Sequence, residues 1–285
     1  MSTKTAVYFL TGLLIILSAL TFFFLNDTGS HLLDKNKIAR VTRIEISSSL
    51  DSFPLTLEKV SGTWKIVLDD AHRYPANNAR ISNFLAALVQ KAAISRVRGD
   101  DGSRYGTKGE ASYHFRISGD DGSLYLDIAT GRMGALEQYG YFYDYRKNAL
   151  YRAEADFFSF RDTHTAFWAD HDPFEEKLRG KEIELIRYSK ADAITDIARG
   201  TGESESVKND LIDAFDRRLR TLRCVDITNI PANAIERLLI EMNDASFINL
   251  AVAFAGNDHC IVRDNDTGES WIITGSSYTD LIRGF

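Results

Sequence analysis

The chain of 285 residues has no long run of basic side chains, and its formal net charge is −6. That disfavours a nucleic-acid partner, which needs a concentrated positive surface. It has no G-x-S-x-G elbow, no G-x-x-x-x-G-K-[ST] loop and no G-x-G-x-x-G turn, so the common nucleophile and nucleotide-cradling motifs are missing. No H-E-x-x-H pair is present either. Cysteine occurs twice, as Cys224 and Cys260, and neither lies near the N-terminus, which excludes the usual bacterial lipoprotein anchor. With 44% hydrophobic and 26% charged residues the chain has the balance of a folded protein rather than a disordered one.

What the N-terminus does have is a stretch without a charge, from Ala6 to Leu25, reading AVYFLTGLLIILSALTFFFL. At about 1.5 Å per residue such a helix spans a hydrocarbon core of roughly 30 Å. The expectation is a single-pass anchor over residues 6–25 preceded by a short cytoplasmic tail. The competing reading is a cleaved leader, for which Thr28-Gly29-Ser30 supplies a small-x-small site. A strict count of Lys35, Lys37, Arg40 and Arg43 against Lys4 does not favour an inside N-terminus. A long domain nevertheless translocates largely regardless of charge, so the globular part is placed outside the cytoplasm of a bacterial inner membrane. That compartment permits a disulfide between Cys224 and Cys260. The alternative is two buried thiols acting as small apolar residues.

After a polar linker over 26–37, strand patterns dominate. VTRIEIS alternates at period two, and FPLTLEK and TWKIVL follow around Val60-Ser61-Gly62, which predicts a three-stranded meander. Pro75 and Asn77 open a helix with Ile81, Phe84, Leu85, Leu88 and Val89 on one face, expected to cover the meander. Asp121-Gly122 between YHFRIS and SLYLDIA signals a hairpin, and YGYFYDY and ALYRA flank another at Arg146-Lys147-Asn148. A polar, aromatic stretch over 157–178 reads as a hinge. Beyond it come a strand (KEIELIRYS), a helix carrying Leu211, Ile212, Phe215 and Leu219, a strand (LRCVDI), a helix (PANAIERLLIEM), three strands and a short final helix. Pro75-Ala76-Asn77 and Pro231-Ala232-Asn233 each stand before an expected helix, which suggests a duplicated βαββ-type module. The fold class expected is α+β: a transmembrane helix, then two mixed lobes of antiparallel sheet with covering helices, over 38–170 and 171–285.

The first lobe also carries a recognisable succession. Leu55-Thr56-Leu57, Lys59, Gly62, Trp64 and Ile66 are followed by Tyr74-Pro75-Ala76-Asn77 and a helix. Then come Tyr105-Gly106, the hairpin DGSLYLDIATG, an aromatic strand, ALYRA and Phe160-Arg161-Asp162. From Leu55 to Asp162 this resembles the bacterial domain of unknown function 4340 family. The resemblance implies a membrane-anchored envelope protein, often associated with ABC-transporter subunits of the gliding-motility type. It brings no catalytic residues, and the second lobe fits its pattern poorly.

Candidate sites are few. Tyr139, Tyr141, Tyr143 and Tyr145 alternate along one strand, so their phenols share a face that could stack sugars or hold a partner. A buried strand face is the plainer alternative. Asp162, His164, Asp170, His171 and Asp172 cluster in the manner of metal ligands, but hinge polarity accounts for them, and no metal or cofactor is expected. The run Asp264 to Glu269 has its glycine at the wrong place for a calcium loop and reads as a hairpin turn. The functional expectation is therefore a non-enzymatic extracytoplasmic accessory of an ABC-transporter-like membrane complex. Two alternatives are an envelope glycan-binding module that uses the tyrosines and, more weakly, a metal-dependent hydrolase.

Overall fold

The computed structural model of the chain describes residues 30–51, 53–98, 102–109, 112–134, 139–202, 205–229, 234–256 and 258–285. Its strands form a nine-stranded and a seven-stranded sheet. Every pair of strands with a described register is antiparallel. The chain is therefore mostly antiparallel β, and the expected α+β architecture of two lobes under covering helices is corrected on that ground. The expected membrane-spanning segment, residues 6–25, lies outside the described residues; among the described residues no helix is long and apolar enough to cross a membrane. By contacts the chain divides into two compact units that interleave in sequence. Among the described residues, unit A holds those up to Arg40, Ser48–Leu50 and Phe84–Arg161, and unit B holds Val41–Ser47, Asp51–Asn83 and Asp162–Phe285.

In unit B the meander forms as the sequence predicts, with one added strand: β1 Val41–Ser48, β2 Leu55–Val60, β3 Thr63–Val67 and β4 Arg73–Pro75. On β1, Ile44 and Ile46 are buried while Arg43, on the other face, is exposed, the alternation of a half-buried strand. Ser61 and Gly62 have φ of 50° and 90°. Two successive positive values make the tight turn that joins twisted antiparallel strands. Asn77 then caps helix α1 (Asn78–Val89): its carbonyl accepts the first intrahelical bond, from Ile81 N, and its Oδ1 accepts from Arg80 N at 2.9 Å, satisfying one of the otherwise unpaired first-turn donors.

Unit A is built on five strands: β5 Ala93–Val97, β6 Tyr113–Gly119, β7 Leu124–Met133, β8 Gly140–Asp144 and β9 Ala149–Glu154. They are ordered β6-β7-β8-β9-β5. The two hairpins expected at Asp121-Gly122 and Arg146-Lys147-Asn148 join β6 to β7 and β8 to β9. The core is phenylalanine on phenylalanine. Phe84 stacks on Phe115 with centroids 5.6 Å apart, and Phe157 meets Phe115 and Phe142 edge-on.

The rest of unit B begins with two single-turn helices, α2 Thr165–Trp168 and α3 Glu175–Leu178. The seven-stranded sheet uses β10 Ile183–Lys190, β11 Ala193–Ala198, β12 Asp226–Ile227, β13 Glu236–Met242, β14 Phe247–Ala255, β15 His259–Asp264 and β16 Ser270–Thr274, ordered β11-β10-β13-β14-β15-β16-β12. Helices α4 (Ser206–Arg220) and α5 (Gly275–Leu281) pack with it. Ile212, Phe215 and Leu219 are the buried stripe of α4. The strand LRCVDI shrinks to the two residues of β12. Within this unit Tyr74 of β4 is fully buried. Its hydroxyl donates to the Thr228 carbonyl and accepts from Ser270 N at 3.2 Å. Nearby, Asn77 N donates to Trp168 O and Asp170 N to Pro75 O, so the meander is fastened to residues far along the chain.

The stretch expected as a helix, PANAIERLLIEM, is the clearest correction. Residues 230–233 lie outside the described residues, and Glu236–Met242 is strand β13, paired with β10 and β14 on its two sides. Ile235, Leu238, Leu239 and Met242 do recur at helical spacing, but a strand between two neighbours satisfies its whole backbone in the sheet. The period that wins is two: Glu236, Leu238, Ile240 and Met242 are buried. The proposed duplicated βαββ module falls with this helix.

The register turns a carboxylate inward. Glu236 is 1% exposed. Lys190, its cross-strand partner, places Nζ 2.7 Å from Oε1, and the phenols of Tyr188 and Tyr278 both donate to Oε2. Burial alone would raise the pKa of this carboxyl; the bonds from Lys190, Tyr278 and Tyr188 outweigh it and hold the group below the usual glutamate value. A depressed folded pKa contributes stability that is present above the unfolded value of ~4.3 and lost as pH falls through the folded one. Replacing Glu236→Gln is therefore expected to cost about 1–3 kcal/mol at pH 7. The gap from wild type should narrow as pH falls below ~4.3. Urea denaturation at stepped pH measures both, and a gap independent of pH would show that the ionised form contributes nothing.

Candidate functional site

The four tyrosines extend from β8 and its flanks, and the structure surrounds them with groups from other elements. Phe142, between them, faces the core. Tyr139 meets Tyr141 edge-on at 5.7 Å, and Tyr141 packs against Tyr105 at 4.2 Å. Tyr143 meets Tyr145 edge-on at 5.2 Å, and Tyr145 lies 5.0 Å from the His114 ring, whose Nε2 is bonded to Asp127. Two cations border the rings. Arg152, cross-strand from Tyr141, sits 5.0 Å from the Tyr139 centroid, and Lys108 Nζ sits 4.7 Å from that of Tyr143. Contacts of this kind are worth roughly 0.5–1 kcal/mol each at exposed sites.

The band is not uniformly open. Tyr143 is 7% exposed, its hydroxyl donating to Asn148 Oδ1, whereas Tyr145 is 44% exposed. Tyr139 and Tyr141 are half-buried. The cover over the centre is the loop around the single-turn helix Ser103–Tyr105, bounded by Gly102 and Gly106 with φ of 91° and 71°. A Cβ at Gly102 would stand 2.2 Å from Thr107 Oγ1 and 3.4 Å from the Tyr143 ring, so only glycine lets the loop lie this close. Burial raises the pKa of both Tyr141 and Tyr145, with Tyr139 adding to the first and Asp127 to the second. Both phenols are thus neutral donors near pH 7.

The other sequence candidates separate. His171 has both ring nitrogens on carbonyls, Nδ1 at 2.7 Å from Cys224 O and Nε2 at 2.8 Å from Ala166 O, which leaves no lone pair facing a metal. His164 pairs with Asp162 at the surface, Asp172 pairs with Arg223, and Asp170 Oδ1 accepts from Asp172 N. Burial raises the Asp170 pKa. Cys224 and Cys260 are separate, buried free thiols. Burial, then the Asp170 charge, pushes the Cys224 thiol up to about 12, so it is not a thiolate nucleophile near neutrality. Asp264 to Glu269 is the turn between β15 and β16, with Asp264 Oδ1 accepting from Asp266 N and Thr267 N.

Sequence reasoning missed Tyr105, Lys108, His114 and Arg152. Arg152 was within reach, because the register of the β8–β9 hairpin sets it opposite Tyr141. Tyr105 and His114 come from a loop and from β6, and no pattern in the sequence aligns them with β8. No family model matches the chain, and neither a curated protein nor a solved structure matches it.

The difference in exposure has a measurable consequence. Tyr143→Ala is expected to cost about 3–4 kcal/mol of unfolding free energy, as for truncation of other buried aromatics. Tyr145→Ala should cost less than about 1 kcal/mol. Denaturant titration of the two variants checks the order, and equal costs would contradict the burial of the centre of the band.

Proposed function

We propose that this chain is a non-enzymatic binding protein of the bacterial envelope, an accessory of an ABC-transporter-like membrane complex, and that the tyrosine band of unit A is its working surface. The observation that carries the reading is the band itself: phenols from β8, Tyr105 and His114 in continuous contact at each end, bordered by Arg152 and Lys108. Tyrosine with arginine is the composition enriched where proteins meet partners, because the rings bury large areas at low entropic cost while the hydroxyls stay paired. The envelope and transporter setting comes from the family resemblance over Leu55 to Asp162, and the charge-free segment 6–25 supports a membrane location.

A second reading, carbohydrate stacking, is favoured by the half-open Tyr145 ring beside the His114–Asp127 pair. There an apolar face adjoins hydrogen-bonding groups, as a sugar requires.

The test is recovery of partners from native membranes in mild detergent, comparing wild type with a Tyr139→Ala, Tyr145→Ala double variant. Permease or ATPase subunits should accompany the wild type and fall at least five-fold with the variant. Equal recovery with both proteins would remove the band from the interaction. Recovery of neither subunit, together with polysaccharide retention lost in the variant, would transfer the surface to glycan.

A further inference from the structure

Unit B holds a cleft of about 370 Å³ that the tyrosine reading does not use. Its walls are Ala71, His72, Arg73 and Tyr74, from the end of the β3–β4 turn and β4, and Arg263, Thr267, Gly268 and Glu269, from the β15–β16 hairpin. We propose that this cleft binds a small molecule bearing a phosphate or similar dianionic oxyanion group.

The charges decide the sign of the ligand. The carboxylates of Glu269, Glu58 and Asp69 already have partners. Glu269 lies 3.5 Å from Lys65 Nζ and accepts from the Thr267 hydroxyl. Glu58 is shared by Arg43 and Arg73. Asp69 accepts from Asn229 Nδ2, from Ala71 N and His72 N, and faces His72 Nδ1 at 2.7 Å. Arg263 is different: its guanidinium makes no ion pair among the described residues, although it lines the cleft and is only partly exposed. The Asp69 contact to Nδ1 orients the His72 ring and leaves Nε2 as its free nitrogen, with no hydrogen bond among the described residues. Arg73, which is shared with Glu58, and the ion-pair-free Arg263 therefore supply donors to one volume beside the His72 ring, and the flat guanidinium fork matches an oxyanion in a bidentate manner.

Shape and rigidity agree with a ligand site. The volume falls within the ~300–1,000 Å³ of small-molecule pockets, so an oxyanion would leave room for a compact polar body. The floor is fixed: Tyr74 is fully buried and bonded to Thr228 and Ser270. Gly268, with φ of 75°, carries no side chain to fill the space, and a Cβ there would meet Arg263 Nη2 at 3.8 Å. The walls come from parts of the chain nearly two hundred positions apart, held together by the Tyr74–Ser270 bond rather than by local sequence.

The experiment is calorimetric titration of the full chain with inorganic phosphate and with glycerol 3-phosphate, chloride serving as control, and co-sedimentation with phosphatidylcholine vesicles containing or lacking phosphatidic acid. Saturable binding of a free phosphate compound is expected, at least ten-fold weaker in Arg263→Gln, with the unfolding midpoint in phosphate-free buffer unchanged. Arg73→Gln is the second variant should R263Q not fold, with the same loss expected. Binding confined to phosphatidic acid vesicles, and lost in either variant, would assign the oxyanion to a lipid headgroup. The proposal is overturned by wild type that binds neither phosphate compound nor vesicles, or by binding equally strong in the folded arginine variant.

Discussion

A buried hydroxyl has to be paired on both its donor and its acceptor side, and unit B depends on how Tyr74 meets that demand. The ring is fully enclosed, and its oxygen stands between the Thr228 carbonyl and Ser270 N. Leaving either of those backbone groups unpaired in the interior costs about 1–3 kcal/mol. The bonds from Asn77 N to Trp168 O and from Asp170 N to Pro75 O act in the same place and sense. Together they make a short meander near the start of the described chain part of a unit otherwise built from residues 162–285. The cleft of Arg73 and Arg263 exists because this fastening sets the β4 segment beside the β15–β16 hairpin.

Phenols serve a related purpose elsewhere. The alternation of β13 directs Glu236 inward, and a lone carboxylate there would be untenable. Tyr188 and Tyr278 donate to it, and Lys190 supplies the opposite charge from the neighbouring strand. In unit A the tyrosines are arranged differently, ring against ring along β8, with one hydroxyl tied to Asn148 and an outer ring open to solvent. The same side chain thus closes an interior in one unit and offers an amphipathic surface in the other. The difference lies in whether an acceptor or a neighbouring ring stands opposite it.

Most individual strands were legible because alternation is a local property. Ile44 and Ile46, alternating with Arg43 and Glu45, announce β1, and the Asp121-Gly122 turn announces its hairpin. The helix over Asn78–Val89 was legible through its Asn77 cap and apolar stripe. The segment around Glu236 was not: Ile235, Leu238, Leu239 and Met242 fit a helix as well as a strand, and only pairing with β10 and β14 settled it. Strand β11 went unseen because it is an edge strand whose residues are almost all exposed, so it lacks the apolar alternation by which strands are read.

By itself the sequence determined the antiparallel character of each hairpin, the common face of Tyr139, Tyr141, Tyr143 and Tyr145, and the charge-free segment 6–25, since period, turn chemistry and composition are written along the chain. Tertiary structure alone decided which of those phenols is covered, that Glu236 is satisfied by Tyr188 and Tyr278, and that Arg73 and His72 share a cleft with Arg263. Each of these rests on contact between residues remote in sequence, and such contacts are selected by packing and by the pairing of buried polar groups, which no local pattern encodes.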